Sequence, residues 1–109
     1  MVVKQGDLFP PVITTVKDEL GAVVDLTGAT AIKFSMRKSR DPTSIKLNLA
    51  TGALNGSGSD GKVKYQWVGT DTDTPGTYEA EFRVTPASGN PFRVPTDGYI
   101  PIVVEEKTA

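Results

Sequence analysis

The chain has no cysteine and no histidine among its 109 residues. Lacking cysteine, it has no disulfide, no thiol nucleophile and no thiolate metal site, and its redox compartment leaves no mark on the composition. Lacking histidine, it has no imidazole base, so Ser-His and Cys-His nucleophilic constellations and histidine-ligated metal centres are excluded too. Long apolar runs are absent. Nothing approaches the roughly 18 consecutive apolar residues of a spanning helix, and Met1 to Phe9 carries Lys4, Gln5 and Asp7 where a signal peptide or anchor would be apolar. The expectation is a chain made in the cytoplasm that stays soluble, with no membrane contact. An excess of one charge is missing as well: 12 Lys and Arg against 13 Asp and Glu leave a net charge of −1, which offers no footprint for nucleic acid. Helical periodicity never persists beyond a turn.

What is present is alternation. Asp71 to Thr85 reads as a turn, punctuated by Pro75 and Gly76, followed by Tyr78, Ala80, Phe82 and Val84 on one side of a strand and Glu79, Glu81, Arg83 and Thr85 on the other. Ile32, Phe34 and Met36 alternate with Lys33, Ser35 and Arg37 in a second one-sided strand, a candidate partner layer for the first. Val63, Tyr65 and Trp67 alternate with lysines and Gln66 in a third, Lys62 to Val68. Shorter segments follow the same pattern: Val12 to Lys17, a return over Ala22 to Leu26, Ile45 to Leu49, Phe92 to Val94 and Tyr99 to Glu105. Thr51 to Gly61, rich in glycine and serine, reads as a single loop. Short strands with turn signals every eight to twelve residues specify an all-β chain, an antiparallel β-sandwich of about seven to nine short strands. One domain spans residues 1–109, with 1–11 as an extended N-terminal arm stiffened by Pro10 and Pro11. Phe34, Tyr65, Trp67, Tyr78 and Phe82 are the expected core. Tyr78, just after a turn at the head of a strand, stands where immunoglobulin-like sandwiches place a tyrosine corner, with its hydroxyl bonded to backbone near Asp71 to Asp73.

The polar groupings each have a plain structural reading. Asp71 and Asp73, with Asp60 or Asp97, offer oxygen ligands for calcium, but the spacing is not that of an EF-hand loop and a turn that bonds its own backbone accounts for them. Glu79 and Glu81 invite a paired-carboxylate reading; both lie on the watered face, where Lys33, Arg37 or Lys64 would neutralise them. Arg37, Lys38 and Arg40 form the one basic cluster, without the aromatic interleaving of a nucleic-acid site. Asn55-Gly56-Ser57 matches a glycosylation sequon, but nothing upstream supports secretion and Asn-Gly is a tight-turn pair, so it reads as a turn. Phe9 and Phe92 lie beside prolines at segment ends, half out of the expected core. Together with Val2, Val3 and Arg40 they are the candidates for protein contact. No catalytic residue, metal ligand or cofactor site is assigned.

Five stretches carry a resemblance: Gln5-Gly6-Asp7-Leu8-Phe9-Pro10-Pro11, Val24-Asp25-Leu26-Thr27-Gly28-Ala29-Thr30, Gly61-Lys62-Val63-Lys64-Tyr65-Gln66-Trp67, Thr74-Pro75-Gly76-Thr77-Tyr78-Glu79-Ala80-Glu81-Phe82 and Pro95-Thr96-Asp97-Gly98-Tyr99-Ile100. In this order they resemble the N-terminal domain of bacteriophage baseplate upper proteins and their small single-domain virion relatives. The resemblance implies an immunoglobulin-like sandwich serving as a non-enzymatic assembly module in the virion, in many copies and bound to other virion proteins, with no cofactor. Baseplate upper proteins continue into helical or coiled segments, whereas this sequence ends at Ala109, so the expectation is a stand-alone tail, baseplate or head-to-tail component. A capsid decoration protein and a carbohydrate- or cell-surface-binding module are the alternatives.

Overall fold

A computed structural model describes residues 1–41, 43–95 and 98–108. The described residues form nine strands and no helix: β1 (Val2–Lys4), β2 (Val12–Thr15), β3 (Ala31–Lys38), β4 (Ile45–Thr51), β5 (Ala53–Leu54), β6 (Lys62–Tyr65), β7 (Gly76–Thr85), β8 (Phe92–Val94) and β9 (Ile100–Glu105). They make two sheets, one ordered β1-β9-β7-β3-β4 with β8 beside the far half of β7, the other β2-β6-β5. The two sheets make a β-sandwich, with β8 and β9 lying along the same side of β7, opposite β3.

β7 is the spine of that sheet because it is the longest strand with one apolar face. Tyr78, Ala80, Phe82 and Val84 are all buried, and the intervening residues from Glu79 to Arg83 are half-buried on the outer face. β3 was expected opposite β7; it lies beside it instead, hydrogen-bonded in register from Ala31↔Thr85 to Lys38↔Tyr78. Pairing Phe34 with Phe82 puts both apolar sets on the same side, and a one-residue slip would turn one set out to water. The layer that covers them is β2-β6-β5. Tyr65 of β6 stacks on Phe34 of β3 at 4.6 Å between ring centroids and 7° between planes. Trp67 lies beyond the end of β6 but is 1% exposed, edge-on to Phe34 at 5.9 Å and to Tyr65 at 5.7 Å. Each such aromatic burial removes ~150–250 Å² from water, the main stabilising term here. All five expected core residues are buried.

The tyrosine corner is present one residue further along than expected: the Tyr78 hydroxyl donates to the Thr74 carbonyl at 2.7 Å. The Thr51 to Gly61 segment is not a single loop. After β4 the chain crosses to the other sheet at Gly52, whose amide bonds Ile32 O at 2.8 Å, and β5 then pairs with β6. A Cβ at Gly52 would sit 2.9 Å from the Lys64 carbonyl, so the crossing needs glycine. The expected return strand over Ala22 to Leu26 is reduced to one bridge, Lys17↔Val23.

Two corrections concern the N-terminus. The sandwich is not wholly antiparallel, since β1 runs parallel to β9 with Val2↔Val103 to Lys4↔Glu105 paired. Residues 1–11 are accordingly no free arm. β9 offers an open edge, β1 fills it, and Val3 falls on the inward parity with 2% exposure, in the core rather than on a contact surface.

Candidate protein-contact surface

Past β1 the chain turns off the sheet edge at Gly6, with φ 83° and the Asp7 amide bonded back to Lys4 O, and Pro10 and Pro11 further on have no amide to give to a ladder. The carbonyls of this segment still need donors, and the segment between β6 and β7 supplies them. Gln66 Nε2 donates to Leu8 O at 2.6 Å, Trp67 Nε1 to Pro10 O at 3.0 Å and Thr72 Oγ1 to Asp7 O at 2.9 Å. In the reverse direction, Gln5 Nε2 donates to Asp73 O at 3.0 Å. The Gly6 amide closes the clasp on Thr72 O at 2.9 Å.

The clasp is itself anchored from within. Among the described residues, Asp71 and Thr72 are the buried polar ones. Asp71 Oδ2 accepts from the Tyr65 hydroxyl at 2.6 Å and from the Val68 amide at 2.9 Å, so a core ring and a turn share one carboxylate. Burial first, and then the Asp71 carboxylate, push the Tyr65 phenol far above its ordinary range and keep it protonated as a donor. The outcome is a fixed backbone bearing an apolar side chain in water. Phe9 is 77% exposed although the carbonyls on either side of it are hydrogen-bonded, with Leu8 next to it and Val68 on the clasping segment also exposed.

The outer face of β3, β4 and β7 carries a groove of about 240 Å³ lined by Arg37, Asn48, Leu49, Glu79, Glu81 and Tyr99 among others. Arg37 Nε meets Glu79 Oε2 at 3.2 Å, its terminal nitrogen donates to the Tyr99 hydroxyl at 2.7 Å, and its guanidinium lies 4.9 Å from the Tyr99 ring centre. Glu79 also accepts from the Arg40 amide at 3.2 Å, which with Arg37 holds its carboxyl below the usual range. Glu81 pairs with Arg93 at 3.2 Å. Each glutamate therefore has its own cation, Arg37 from the expected set and Arg93 from outside it.

The acidic turn does not gather into a metal centre. Asp71 is committed to Tyr65 and Val68, Asp73 to Lys46 and Thr74, and Asp60 to the Lys62 amide. Asp97 lies outside the described residues. Lys46 and then Thr74 hold the Asp73 carboxyl below its ordinary value. Among the described residues no three His, Cys, Asp or Glu side chains converge.

The contact candidates other than Val3 fall on separate elements: exposed Val2 on β1, Phe9 on the clasp and Arg40 on the β3–β4 loop with φ 63°, and Phe92, half-buried against the core, on β8. Sheet edges are blunted. β1 and β5 are short, and β4 is bulged at Leu49, whose amide bonds the Ser35 hydroxyl instead of a backbone carbonyl of the paired strand β3. Leu8, Val68 and Tyr99 were not singled out from the sequence. Tyr99 and Val68 each had a signal, since the parity of Tyr99 is opposite to that of Ile100, Ile102 and Val104 and the parity of Val68 opposite to that of Val63, Tyr65 and Trp67; Leu8 had none, as it lies where no period runs.

Compared with known proteins, the chain matches no family model, no curated protein and no solved structure. Fold and surface alone define a β-sandwich that holds an exposed aromatic on a hydrogen-bonded clasp.

Proposed function

We propose that the chain is a non-enzymatic structural protein of a bacteriophage virion, a protein-binding assembly module of the tail, baseplate or head-to-tail region, with capsid decoration as the alternative position. The observation that carries this reading is Phe9. An apolar ring held 77% in water on an immobilised backbone has no stabilising role in the isolated domain, and immobilised aromatics are what protein contacts use as anchors. The resemblance to baseplate upper proteins supports the same reading, and two of its stretches, Gln5 to Pro11 and Gly61 to Trp67, are the two that bond to each other through Gln66 and Trp67. Neither requires a cofactor. The test is immunogold microscopy on phage particles induced from the organism that carries the gene. Label at the tail tip supports a baseplate or tail component, label over the head a decoration protein, and unlabelled particles overturn the virion reading.

The groove at Tyr99 favours a second reading, a carbohydrate or cell-surface ligand, because an exposed aromatic beside Arg37, Asn48 and two carboxylates is chemistry suited to sugar hydroxyls. Titration with host cell-wall saccharides, followed by NMR, should then shift the Tyr99 ring and Arg37 Nε signals. Unmoved signals at millimolar sugar dismiss it.

A further inference from the structure

The two aromatic contact candidates have complementary settings. Phe9 is a knob. Phe92 lines a hollow of about 460 Å³ at the open side of the sandwich, between β2 and β8, with Thr14, Val16, Lys17, Val24 and Pro95. A cavity of roughly 150 Å³ already takes a benzene ring, so this one has room for a phenyl group and part of its neighbour. Knob and hollow stand at opposite ends of β2: Phe9 precedes Val12, and the hollow begins at Thr14 and runs past the strand to Lys17. The clasp bonds from Gln66 and Trp67 fix Phe9 at its own end, so it cannot fold back into the hollow of its own chain.

Charge matches as well. Asp7 is the only charged residue in Gln5 to Pro11, and its carbonyl, not its carboxylate, is what the clasp engages. Among the described residues, Lys17 is the only charged one lining the hollow, and none of the ion pairs uses it or Asp7. Asp18, next to Lys17 in sequence, turns its Oδ1 to the amides of Leu20 and Ala22.

We propose that Phe9 of one copy inserts into the β2–β8 hollow of a second copy of this chain, with Asp7 of the first against Lys17 of the second. The contact is heterologous, knob to socket, so each copy keeps one free knob and one free socket, and the arrangement closes as a ring or grows as a row. It buries one aromatic and its immediate neighbours, on the order of ~150–250 Å² on the knob side against ~800 Å² per partner in a standard interface, so a single contact is weak and gains strength by repetition in an assembly. The inference rests on the assembly-module reading and supplies the partner that the reading leaves open.

Sedimentation equilibrium from micromolar to millimolar protein tests it, with circular dichroism and urea melts confirming that each variant is folded. The parent should show a mass that rises with concentration. Phe9→Ser should associate at least about thirtyfold more weakly, and Asp7→Lys or Lys17→Asp about tenfold more weakly each, with the double charge swap restoring the parent's association. Thr14→Arg plugs the socket. Knob-dead Phe9→Ser and socket-dead Thr14→Arg should each be monomeric alone and form one-to-one dimers, no larger, when mixed. A parent that stays monomeric at millimolar concentration, a Phe9→Ser variant that associates like the parent, or a mixture that stays monomeric overturns the contact. Failure of the function reading is separate: a monomeric chain that still labels particles removes only this contact, and a self-associating chain on unlabelled particles removes only the virion assignment.

Discussion

Replacing Tyr65 by Phe should destabilise the fold more than replacing Tyr78 by Phe, although the sequence pattern draws attention to Tyr78. Phe at position 65 keeps the ring, and with it the stacking on Phe34 and the edge contact with Trp67. What goes is the 2.6 Å bond to Asp71. A hydrogen bond to a charged group contributes about 1.5–3 kcal/mol, and the carboxylate left behind is 8% exposed with the Val68 amide as its remaining partner. The expected loss is ~2–3 kcal/mol. At Tyr78 the lost acceptor is the neutral Thr74 carbonyl, worth about 0.5–1.5 kcal/mol. With a urea slope of roughly 1–2 kcal/mol/M, the midpoint of Tyr65→Phe should fall by ~1–3 M and that of Tyr78→Phe by about half as much. The Gly6 amide, held by Thr72 beside Asp71, should exchange faster in Tyr65→Phe. In an Asp71→Asn background the cost of Tyr65→Phe should shrink by ~1 kcal/mol or more, since the two groups share one bond. Equal losses for the two tyrosines, or strict additivity with Asp71→Asn, would refute the anchored-clasp account.

Gly61→Ala should cost ~2 kcal/mol or more in urea melts, because its φ of 69° is joined by carbonyls of Val24 and Val16 lying 2.7 and 3.2 Å from a new Cβ; Gly21→Ala, with φ 82° and open space, should cost only ~1. Phe9→Ser should leave the urea midpoint unchanged within ~0.5 kcal/mol, as an exposed ring contributes little to the monomer; a large loss would mean that the ring is packed. Glu79, Asp73, Asp41 and Asp25 have carboxyl groups held below their ordinary values, chiefly by the Arg40 amide, Lys46, Thr43 and Thr27 respectively. Their contribution is present above the unfolded pKa near ~4 and is lost as pH falls through the lower folded values, so thermal melts should hold level from neutral pH to about 5 and drop below about 4. Tyr65 works in the opposite sense. Its raised phenol favours the folded state at neutral pH and loses that effect above about 10, so phenolate absorbance of Tyr65 should appear only with unfolding.

The amino-acid sequence by itself determined the strand faces and the core. Period-two alternation over Tyr78 to Val84 and Ile32 to Met36 marks one side of each strand for burial whatever the neighbours are, and Phe34, Tyr65, Trp67, Tyr78 and Phe82 follow directly from it. Alternation says which way a side chain points but nothing about which strand lies beside it, so β3 was expected across from β7 and is found next to it. It is equally silent at Val2 to Lys4, where three residues join an open edge in parallel and carry Val3 inside. The clasp was decided by tertiary structure alone. Its donors are single side chains, Gln66, Trp67 and Thr72, bonding carbonyls more than fifty residues away in sequence, and no local pattern encodes a partner at that distance. Phe9 was legible as a residue left out of the core. That it is held rigid, and that Phe92 lines a hollow at the other end of β2, follows only from the two sheets closing on each other.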